Sequence, residues 1–257
     1  IGLELHRLCN EIGIETQFID SGNLTISKER VMGEIPSKRG YFQQVVRFDE
    51  GESCQMNLST ENKKKIVYSL REDLEGIDAI ILSDYNKGFL DNDLGQRVIS
   101  LAKEKGIPVF ADPKPDNIAY FSGAAFISPN RSEAEKITGT RIIENGGKVS
   151  ISQLQKSSRF LREVYHVESC AITCDSKGVF YDDGFKNSGL IPAGTLNGRD
   201  VSGAGDTFIA SLALAYSSGK DLKESVEFAN LVSGIAVERY GVIAPTAQEV
   251  LKRYSKE

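Results

Sequence analysis

Helical and strand-like hydrophobic spacing alternate along most of the chain, starting near residue 59. The predicted helices cover residues 59–75, 92–105, 151–164, 204–218, 222–239 and 246–254, with a shorter one starting at about 131. The predicted strands between them are short apolar runs at 79–82, 107–111, 124–127 and 169–173. Short apolar strands that alternate with helices are typical of a parallel sheet with helices on both faces. We therefore predict a three-layer α/β fold here, with an added hairpin at 179–181 and 189–191.

The first fifty residues follow a different pattern. Residues 3–12 have helical spacing and stop at Gly13, and three strand-like runs follow at 14–19, 24–32 and 41–48. The last two predict a hairpin. We expect this polar, strand-rich region, roughly residues 14–50, to be a small lid sheet within one domain spanning 1–257. Because the sequence starts at Ile1 without a Met or a signal segment, we also expect it to begin inside that domain.

Composition narrows the classes of function. The chain has 257 residues, 40% of them hydrophobic, and a formal net charge of −5. This charge favours neither nucleic acid nor an anionic membrane as a partner, and no apolar run approaches the roughly 18 residues that span a bilayer. We expect a cytoplasmic protein. With only two histidines in the sequence, we expect carboxylates to carry any acid–base chemistry.

Polar side chains follow each predicted core strand. Asp84 follows the first strand, Asp112 and Lys114 the second, Asn130 and Glu133 the third, while Thr173 ends the fourth. Ligands of open parallel sheets bind beyond the carboxyl ends of the strands, so these side chains predict one cleft. A purely structural interpretation also exists, since Asp and Asn often end strands or cap helices.

A glycine-rich segment precedes the predicted helix at 204–218. Two glycines around an alanine, Gly203-Ala204-Gly205, let backbone amides approach an anion at a helix N-terminus. Asp206 follows at once, where a carboxylate can accept the proton of a hydroxyl that attacks phosphorus. Gly-Asp is also common at ordinary helix starts, so the short motif alone is a weak signal.

The longer string from Asp200 to Phe208, DVSGAGDTF, resembles the second signature of the ribokinase-type (phosphofructokinase B) carbohydrate kinases. The resemblance implies a ribokinase-like fold, ATP and Mg²⁺ as cofactors, and direct phosphoryl transfer to a sugar. It implies Asp206 as the catalytic base and the amides of Gly203, Ala204 and Gly205 as an anion hole. It further implies a monovalent-cation site, for K⁺, at Asp200.

Other segments resemble the nucleotide site of the same family. Residues 130–133 are similar to its NxxE element, which serves the ATP phosphates and, through water, Mg²⁺. The resemblance therefore implies a role with ATP for Asn130, Arg131, Ser132 and Glu133, and with the metal for Asn130 and Glu133. Thr173 and Gly178 resemble the Thr-x-Gly-x-x-Gly turn, although Asp175 stands where its first Gly is usual. Asn230 lies where the family often contacts adenine.

Within the family, the chain resembles the heptose-7-phosphate kinase branch, the kinase half of ADP-heptose synthesis. Segments 82–88, 112–114 and 128–133 carry this likeness, with further similarity at 25–30 and 43–49. The implied substrate is D-glycero-D-manno-heptose 7-phosphate, phosphorylated at its anomeric hydroxyl. The expected substrate-binding residues are Arg47, Asp84, Lys87 and Lys114, with Lys28 as a further candidate; each lysine or arginine could instead be an ordinary surface charge. The family's first signature, Gly-Gly-x-x-x-Asn, and its first core strands are absent from these residues.

Three alternatives stay open at this point. The same chemistry could act on another sugar, sugar phosphate or nucleoside. The chain could be a non-catalytic nucleotide- or sugar-binding relative, although such a protein has no need of a base at Asp206. It could also be one domain of a larger polypeptide, or the partner of a separate nucleotidyltransferase. A homodimer through the lid is a further expectation.

Overall fold

The computed structural model describes residues 2–19, 25–37, 40–51, 56–185, 187–194 and 198–255. They fall into two compact units. The smaller unit comprises residues 1–68 with 87–89, and the larger comprises 69–86 with 90–257. Among the described residues, no helix is both long and apolar enough to pass through a membrane.

The smaller unit contains helix α1 (Gly2–Glu11) and an antiparallel pair of strands, β1 (Ser27–Glu34) and β2 (Phe42–Glu50). This pair confirms the predicted hairpin, of which residues 24, 38 and 39 lie outside the described part. The strand predicted at 14–19 is wrong, since these residues have no regular structure. Residues with strand-like side chains form a strand only where a neighbouring strand supplies a hydrogen-bond ladder.

The larger unit is built on a mixed sheet. The strands of this unit are β3 Ile80–Ser83, β4 Val109–Asp112, β5 Phe126–Ile127, β6 Glu144–Asn145, β7 Lys148–Val149, β8 Ser169–Thr173, β9 Val179–Asp182 and β10 Ser188–Ile191. In the described part of the chain, six of them form one sheet in the order β10-β9-β8-β5-β4-β3. Strands β3, β4, β5 and β8 are parallel, and β9 and β10 add the antiparallel hairpin, both as predicted. The pair β6–β7 was not predicted, because two-residue strands carry no readable periodicity.

The remaining helices are α2 Thr60–Asp73, α3 Asn92–Glu104, α4 Arg131–Thr138, α5 Ile151–Tyr165, α6 Ala204–Ser217, α7 Leu222–Val237 and α8 Ala247–Tyr254. They confirm the helices predicted from hydrophobic spacing, with ends displaced by one or two residues. A 3₁₀ helix at Pro115–Phe121 was not predicted, since it is too short to show a hydrophobic period.

The core covers both faces of the sheet. Phe110 of β4 and Phe126 of β5 pack in one cluster with Phe208 of α6 and other residues of α6 and α7. Their neighbours Ala111 and Ile127 are also fully buried and, by the alternation of a strand, point to the opposite face. The sheet therefore lies between two helical layers, and its carboxyl edge is free to carry polar side chains.

Candidate active site

The segments that follow β3, β4, β5 and β8 lie side by side at one edge of the sheet. The amide of Asp84 donates to the carbonyl oxygen of Asp112 at 3.1 Å, so the ends of β3 and β4 stay in register. Asn130 forms an isolated parallel bridge with Thr173, which joins the ends of β5 and β8. The polar residues that the sequence placed at four strand ends therefore share one edge.

Helix α6 begins at a glycine turn. Its N-cap residue Gly203 has a left-handed φ of 77°, and no side chain among the described residues caps the first turn. The amide of Ala204 donates to the carbonyl oxygen of Val201 at 3.2 Å, whereas the amides of Gly205 and Asp206 have no acceptor in the described part of the chain. Open donors at the positive end of a helix dipole favour an anion at this turn.

Asp206 is the third residue of α6, and its side chain is exposed. Its Oδ1 accepts a hydrogen bond from the hydroxyl of Tyr85 at 2.8 Å. Burial, and then the hydrogen bond to Asp206, raise the pKa of the Tyr85 phenol, so this hydroxyl stays protonated and acts as a donor. One oxygen of the predicted base is therefore held by the protein.

Asp112 lies beside the same helix start. A Cβ placed on Gly205 would be 4.0 Å from Oδ2 of Asp112, an ordinary van der Waals contact, so this carboxyl group lies close to the start of α6. Burial raises the pKa of Asp112 to about 6; the charge of Lys114 opposes the rise, and the carboxylates of Glu133, Asp206 and Asp84 add to it. Carboxyl groups with a raised pKa in a polar cleft are typical of functional sites.

Lys114 and Glu133 form an ion pair, with Nζ and Oε1 2.9 Å apart. Burial lowers the pKa of Lys114, but the hydrogen bond to Glu133 and the charges of Asp112 and Glu133 outweigh it and raise the pKa overall. Lys114 therefore stays cationic inside a group of carboxylates.

The predicted NxxE element is a helix cap. Asn130 Oδ1 accepts the amide of Glu133 at 2.9 Å, and Glu133 Oε2 accepts the amide of Asn130 at 2.9 Å, which is a capping box at the start of α4. These oxygens also fit Mg²⁺, which prefers one or two carboxylates together with phosphate and water oxygens. The charge of Glu133 also acts on the carboxyl group of Asp112. Among the described residues, no group of three or more His, Cys, Asp or Glu side chains is arranged to hold a metal ion by itself.

Asp84, expected to contact substrate, is buried at 2% exposure and bonds to the protein through both oxygens. Its Oδ1 accepts the amide of Asn86 at 2.8 Å, and its Oδ2 accepts Nδ2 of Asn117 at 2.8 Å. Its local role is to organise the loop after β3, and the expected substrate contact stays a prediction.

The turn after β8 is held close to the segment after β10. Gly178 has a φ of 100°, and a Cβ there would lie 1.9 Å from the carbonyl oxygen of Ile191, so only glycine fits. Asp175, which replaces the usual first glycine of this turn, keeps a left-handed φ of 50°. The turn therefore retains a backbone of the kind that glycine would adopt.

The other predicted nucleotide residues have protein partners. Arg131 pairs with Glu144 at 3.3 Å and with Asp175 at 3.9 Å. Asn230 is buried, and its Nδ2 donates to the carbonyl oxygen of Pro192 at 2.6 Å. Ser132 is exposed in the first turn of α4. Their contacts with ATP remain predictions.

The last two predicted substrate residues, Arg47 and Lys87, belong to the smaller unit. Arg47 pairs with Asp49 at 2.7 Å, and the carbonyl oxygen of Lys87 accepts the amide of Met56 at 2.7 Å. In the larger unit, Asp200 holds the turn before α6: its Oδ1 and Oδ2 accept the amides of Ser202 and Gly241, each at 2.9 Å.

Sequence reasoning placed Asp112 in the predicted cleft without a chemical role, and it assigned no role to Tyr85 or Asn117. Asp112 carried a usable signal, because it begins an Asp-Pro-Lys segment directly after a strand. No local sequence signal predicted the contact of Tyr85 with Asp206, since 121 positions separate the two residues.

Comparison of the sequence with known proteins identifies its family. The sequence profile of pfkB family carbohydrate kinases matches residues 48–249. The bifunctional protein HldE of Sulfurimonas denitrificans is 34% identical over 255 residues, which cover 97% of this chain and 49% of that protein. HldE of Helicobacter pylori is 31% identical, covering 92% and 49%. The chain thus spans about half the length of the curated relatives it matches.

Solved structures agree on the fold. Phosphofructokinase-2 from Escherichia coli, in complex with potassium, superposes with a TM-score of 0.75 at 14% identity, covering 99% of this chain and 78% of that one. Ribokinase from Thermotoga maritima gives a TM-score of 0.65 at 19% identity, covering 98% and 76%. These matches confirm the predicted ribokinase-like α/β fold.

Proposed function

We propose that this chain, which belongs to the pfkB family of carbohydrate kinases, transfers the γ-phosphoryl group of ATP to the anomeric hydroxyl of D-glycero-D-manno-heptose 7-phosphate. The products are the 1,7-bisphosphate and ADP. The observation that carries this proposal is the exposed carboxylate of Asp206 in the first turn of α6, beside the open amides of Gly205 and Asp206 itself.

Asp206 acts as the general base. As the sugar oxygen bonds to the γ-phosphorus and the bond to the ADP oxygen breaks, the hydroxyl proton passes to Asp206 Oδ2. Oδ1 stays with Tyr85. The phosphoryl group therefore passes directly from ATP to the sugar in one step, and no protein residue is phosphorylated.

The turn from Gly203 to Gly205 stabilises the charge on the transferring group. Phosphoryl transfer depends mainly on positioning and on stabilising charge at the equatorial oxygens. Amides of this turn, together with the helix dipole, are suited to that task because they are fixed before the reaction begins.

Glu133, Asn130 and Asp112 are the residues that would hold Mg²⁺, directly or through water. The ion would neutralise the phosphate oxygens of ATP. Lys114 balances the charge of this carboxylate group, since its Nζ lies 2.9 Å from Glu133. A K⁺ ion beside Asp200 is a further part of the proposal, supported by the tight turn that this carboxylate forms ahead of α6.

The heptose substrate rests on the likeness of residues 82–88, 112–114 and 128–133 to the heptose-7-phosphate kinase branch. A substrate that already carries a phosphate needs cations. Lys114 is the proposed donor in the larger unit; for Arg47 and Lys87, a contact with the substrate phosphate stays a prediction from the sequence. The relatives are bifunctional proteins of about twice this length, so we propose that a nucleotidyltransferase, fused or separate, is a partner of this kinase.

ADP release tests the proposal. Purified protein is supplied with ATP, Mg²⁺ and, in parallel, heptose 7-phosphate, fructose 6-phosphate, ribose and adenosine. The expected result is the highest kcat/KM with heptose 7-phosphate, and no release above background by Asp206→Asn. Preference for another acceptor would overturn the substrate, while ATP binding by calorimetry without any turnover would favour the non-catalytic relative.

A further inference from the structure

The loop after β3 holds a tyrosine against the proposed base. Tyr85 reaches Oδ1 of Asp206 with its hydroxyl, at 2.8 Å. The residue is 59% exposed, so its position is set by this bond and by the backbone of its loop more than by packing. An exposed side chain held at one end by a carboxylate points to a role at that carboxylate.

The backbone on either side of Tyr85 is fixed by a hydrogen-bond clamp in which Asp84 and Asn117 are buried. Asp84 is buried, and its Oδ1 accepts the amide of Asn86, which closes a turn around Tyr85. Asn86 adopts a left-handed φ of 53° to complete this turn. Asn117, from the 3₁₀ helix after β4, donates through Nδ2 to both Asp84 Oδ2 at 2.8 Å and Asn86 Oδ1 at 3.0 Å.

Two members of this clamp, Asp84 and Asn117, are also tied to the end of β4. Asp84 bonds through its backbone amide to Asp112, and Asn117 bonds through its own amide to the carbonyl oxygen of Lys114 at 2.9 Å. The clamp therefore connects the loop of Tyr85 with the segment that carries Asp112 and Lys114. Because this hydrogen-bonded framework is formed before substrate arrives, little reorganisation is needed at the moment of reaction.

We propose that Tyr85 is a positioning residue for phosphoryl transfer: its hydroxyl fixes the rotation of the Asp206 carboxylate so that Oδ2 faces the acceptor hydroxyl. This inference rests on the proposed function. A carboxylate that can rotate freely presents a usable lone pair for only part of the time, and misplacement of a catalytic group by about 1 Å can cost a hundredfold in rate. The Asn117 clamp acts one step further out, through Tyr85.

The hydroxyl works as a donor and not as a second base. Burial and the hydrogen bond to Asp206 raise the pKa of the phenol, so it keeps its proton throughout the neutral range. The bond to the carboxylate has a charged acceptor, which makes it stronger than a bond between neutral groups.

Tyr85→Phe is the primary test, with Tyr254→Phe as the matched control on exposed helix α8. We expect kcat to fall by roughly tenfold or more in Tyr85→Phe, as for loss of a hydrogen bond to a charged group, with the KM for ATP within about twofold of wild type. The control should match wild type in both. An unchanged kcat in Tyr85→Phe overturns the proposal, and so does a loss that appears only in KM.

Asn117→Ala separates positioning from general stability. Because Asn117 acts through Tyr85, the double variant Tyr85→Phe/Asn117→Ala should be no slower than Tyr85→Phe alone, after comparison of melting temperatures. Fully multiplicative losses in kcat would overturn the clamp. If Asn117→Ala does not fold, the comparison of Tyr85→Phe with its control decides alone.

Ultraviolet titration of phenolate tests the pair without any turnover. The difference between wild type and Tyr85→Phe isolates the titration of Tyr85, and the same difference is taken in the Asp206→Asn background. We expect Tyr85 to ionise at lower pH once the Asp206 charge is removed. If the protein phosphorylates sugar but the ionisation of Tyr85 does not shift, the positioning role of Tyr85 is overturned and the proposed function stands. A clear shift in a protein that turns over no acceptor overturns the proposed function, and the catalytic meaning of Tyr85 with it.

Discussion

Lys114 Nζ lies 2.9 Å from Oε1 of Glu133, while the other oxygen of the same carboxylate caps helix α4 by accepting the amide of Asn130. Glu133 is therefore shared between a charge network and a helix start. A substitution that keeps the helix cap but removes the charge of Glu133 therefore separates the two roles.

Glu133→Gln should keep the cap and lose the charge, since Gln serves a capping box as well as Glu. We expect near-normal stability but a marked loss of kcat, with a steeper dependence on Mg²⁺ concentration. Glu133→Ala should lose the cap too, at about 1 kcal/mol of unfolding free energy. Thermal unfolding and Mg²⁺ titration of the ADP assay check both variants. Equal kcat in wild type and Glu133→Gln would contradict the metal role.

Asp206→Asn should leave ATP binding nearly intact and lower turnover by orders of magnitude, because the amide cannot accept the proton. Calorimetry with ATP and the ADP assay measure the two effects. Asp221→Asn is the matched control, since Asp221 caps α7 through its side chain and Asn caps a helix equally well. Near-normal turnover in Asp206→Asn would remove this residue from the mechanism.

Asp112→Asn should stabilise the protein at neutral pH. The pKa of this carboxyl group is raised to about 6 by burial, from 3.8, so its ionisation disfavours the folded state. Well below pH 3.8 the carboxyl is protonated in both states and the substitution has little effect. The advantage of Asn should grow as pH rises to about 6 and reach at most roughly 3 kcal/mol, while kcat falls.

Urea unfolding across this pH range measures the effect of Asp112→Asn. Glu249→Gln serves as a control of opposite sign, because the hydrogen bonds from Thr246 lower the pKa of Glu249. That variant should lose stability at neutral pH and match wild type in acid. If the free energies of unfolding of Asp112→Asn and wild type differ by the same amount at all pH values, the pKa of Asp112 is not raised in the folded protein.

Gly178→Ala should be strongly destabilising, by at least about 3 kcal/mol, since its Cβ would lie 1.9 Å from the carbonyl oxygen of Ile191. Gly139→Ala is the control: it has a left-handed φ of 66° with nothing within 4 Å, so only the backbone strain of about 1 to 2 kcal/mol applies. Denaturant unfolding compares them. Similar losses in both would mean that the approach of the two segments is not tight.

The parts of the site that could be predicted are local in sequence. Gly203 to Asp206 form one string, and the strand ends at Asp112 and Thr173 follow from hydrophobic spacing. The strand predicted at 14–19 failed because side-chain pattern does not supply a pairing partner. Tyr85 could not be assigned, since its bond to Asp206 depends on how β3 and α6 pack, and no local pattern encodes that.

The raised pKa of Asp112 also lay beyond the sequence. It depends on burial and on three other carboxylates that come together only when β3, α4 and α6 pack around β4. Asn117 was missed for a related reason: it stands in a short 3₁₀ helix, and its two acceptors come from a loop more than 30 positions earlier. Residue type and spacing predicted the chemistry, whereas its fine positioning comes from contacts between distant segments.

The glycine turn at Gly203 leaves the amides of Gly205 and Asp206, in the first turn of α6, without an acceptor among the described residues. In the absence of an anion these amide protons face water, and they should exchange with deuterium nearly as fast as those of an unfolded chain. A bound phosphate would slow that exchange at Gly205 and Asp206. The exchange rates of these amides therefore show whether an anion is bound at the start of α6. Candidate nucleotides and sugar phosphates can be ranked by how much they slow this exchange, even in a variant without the catalytic base.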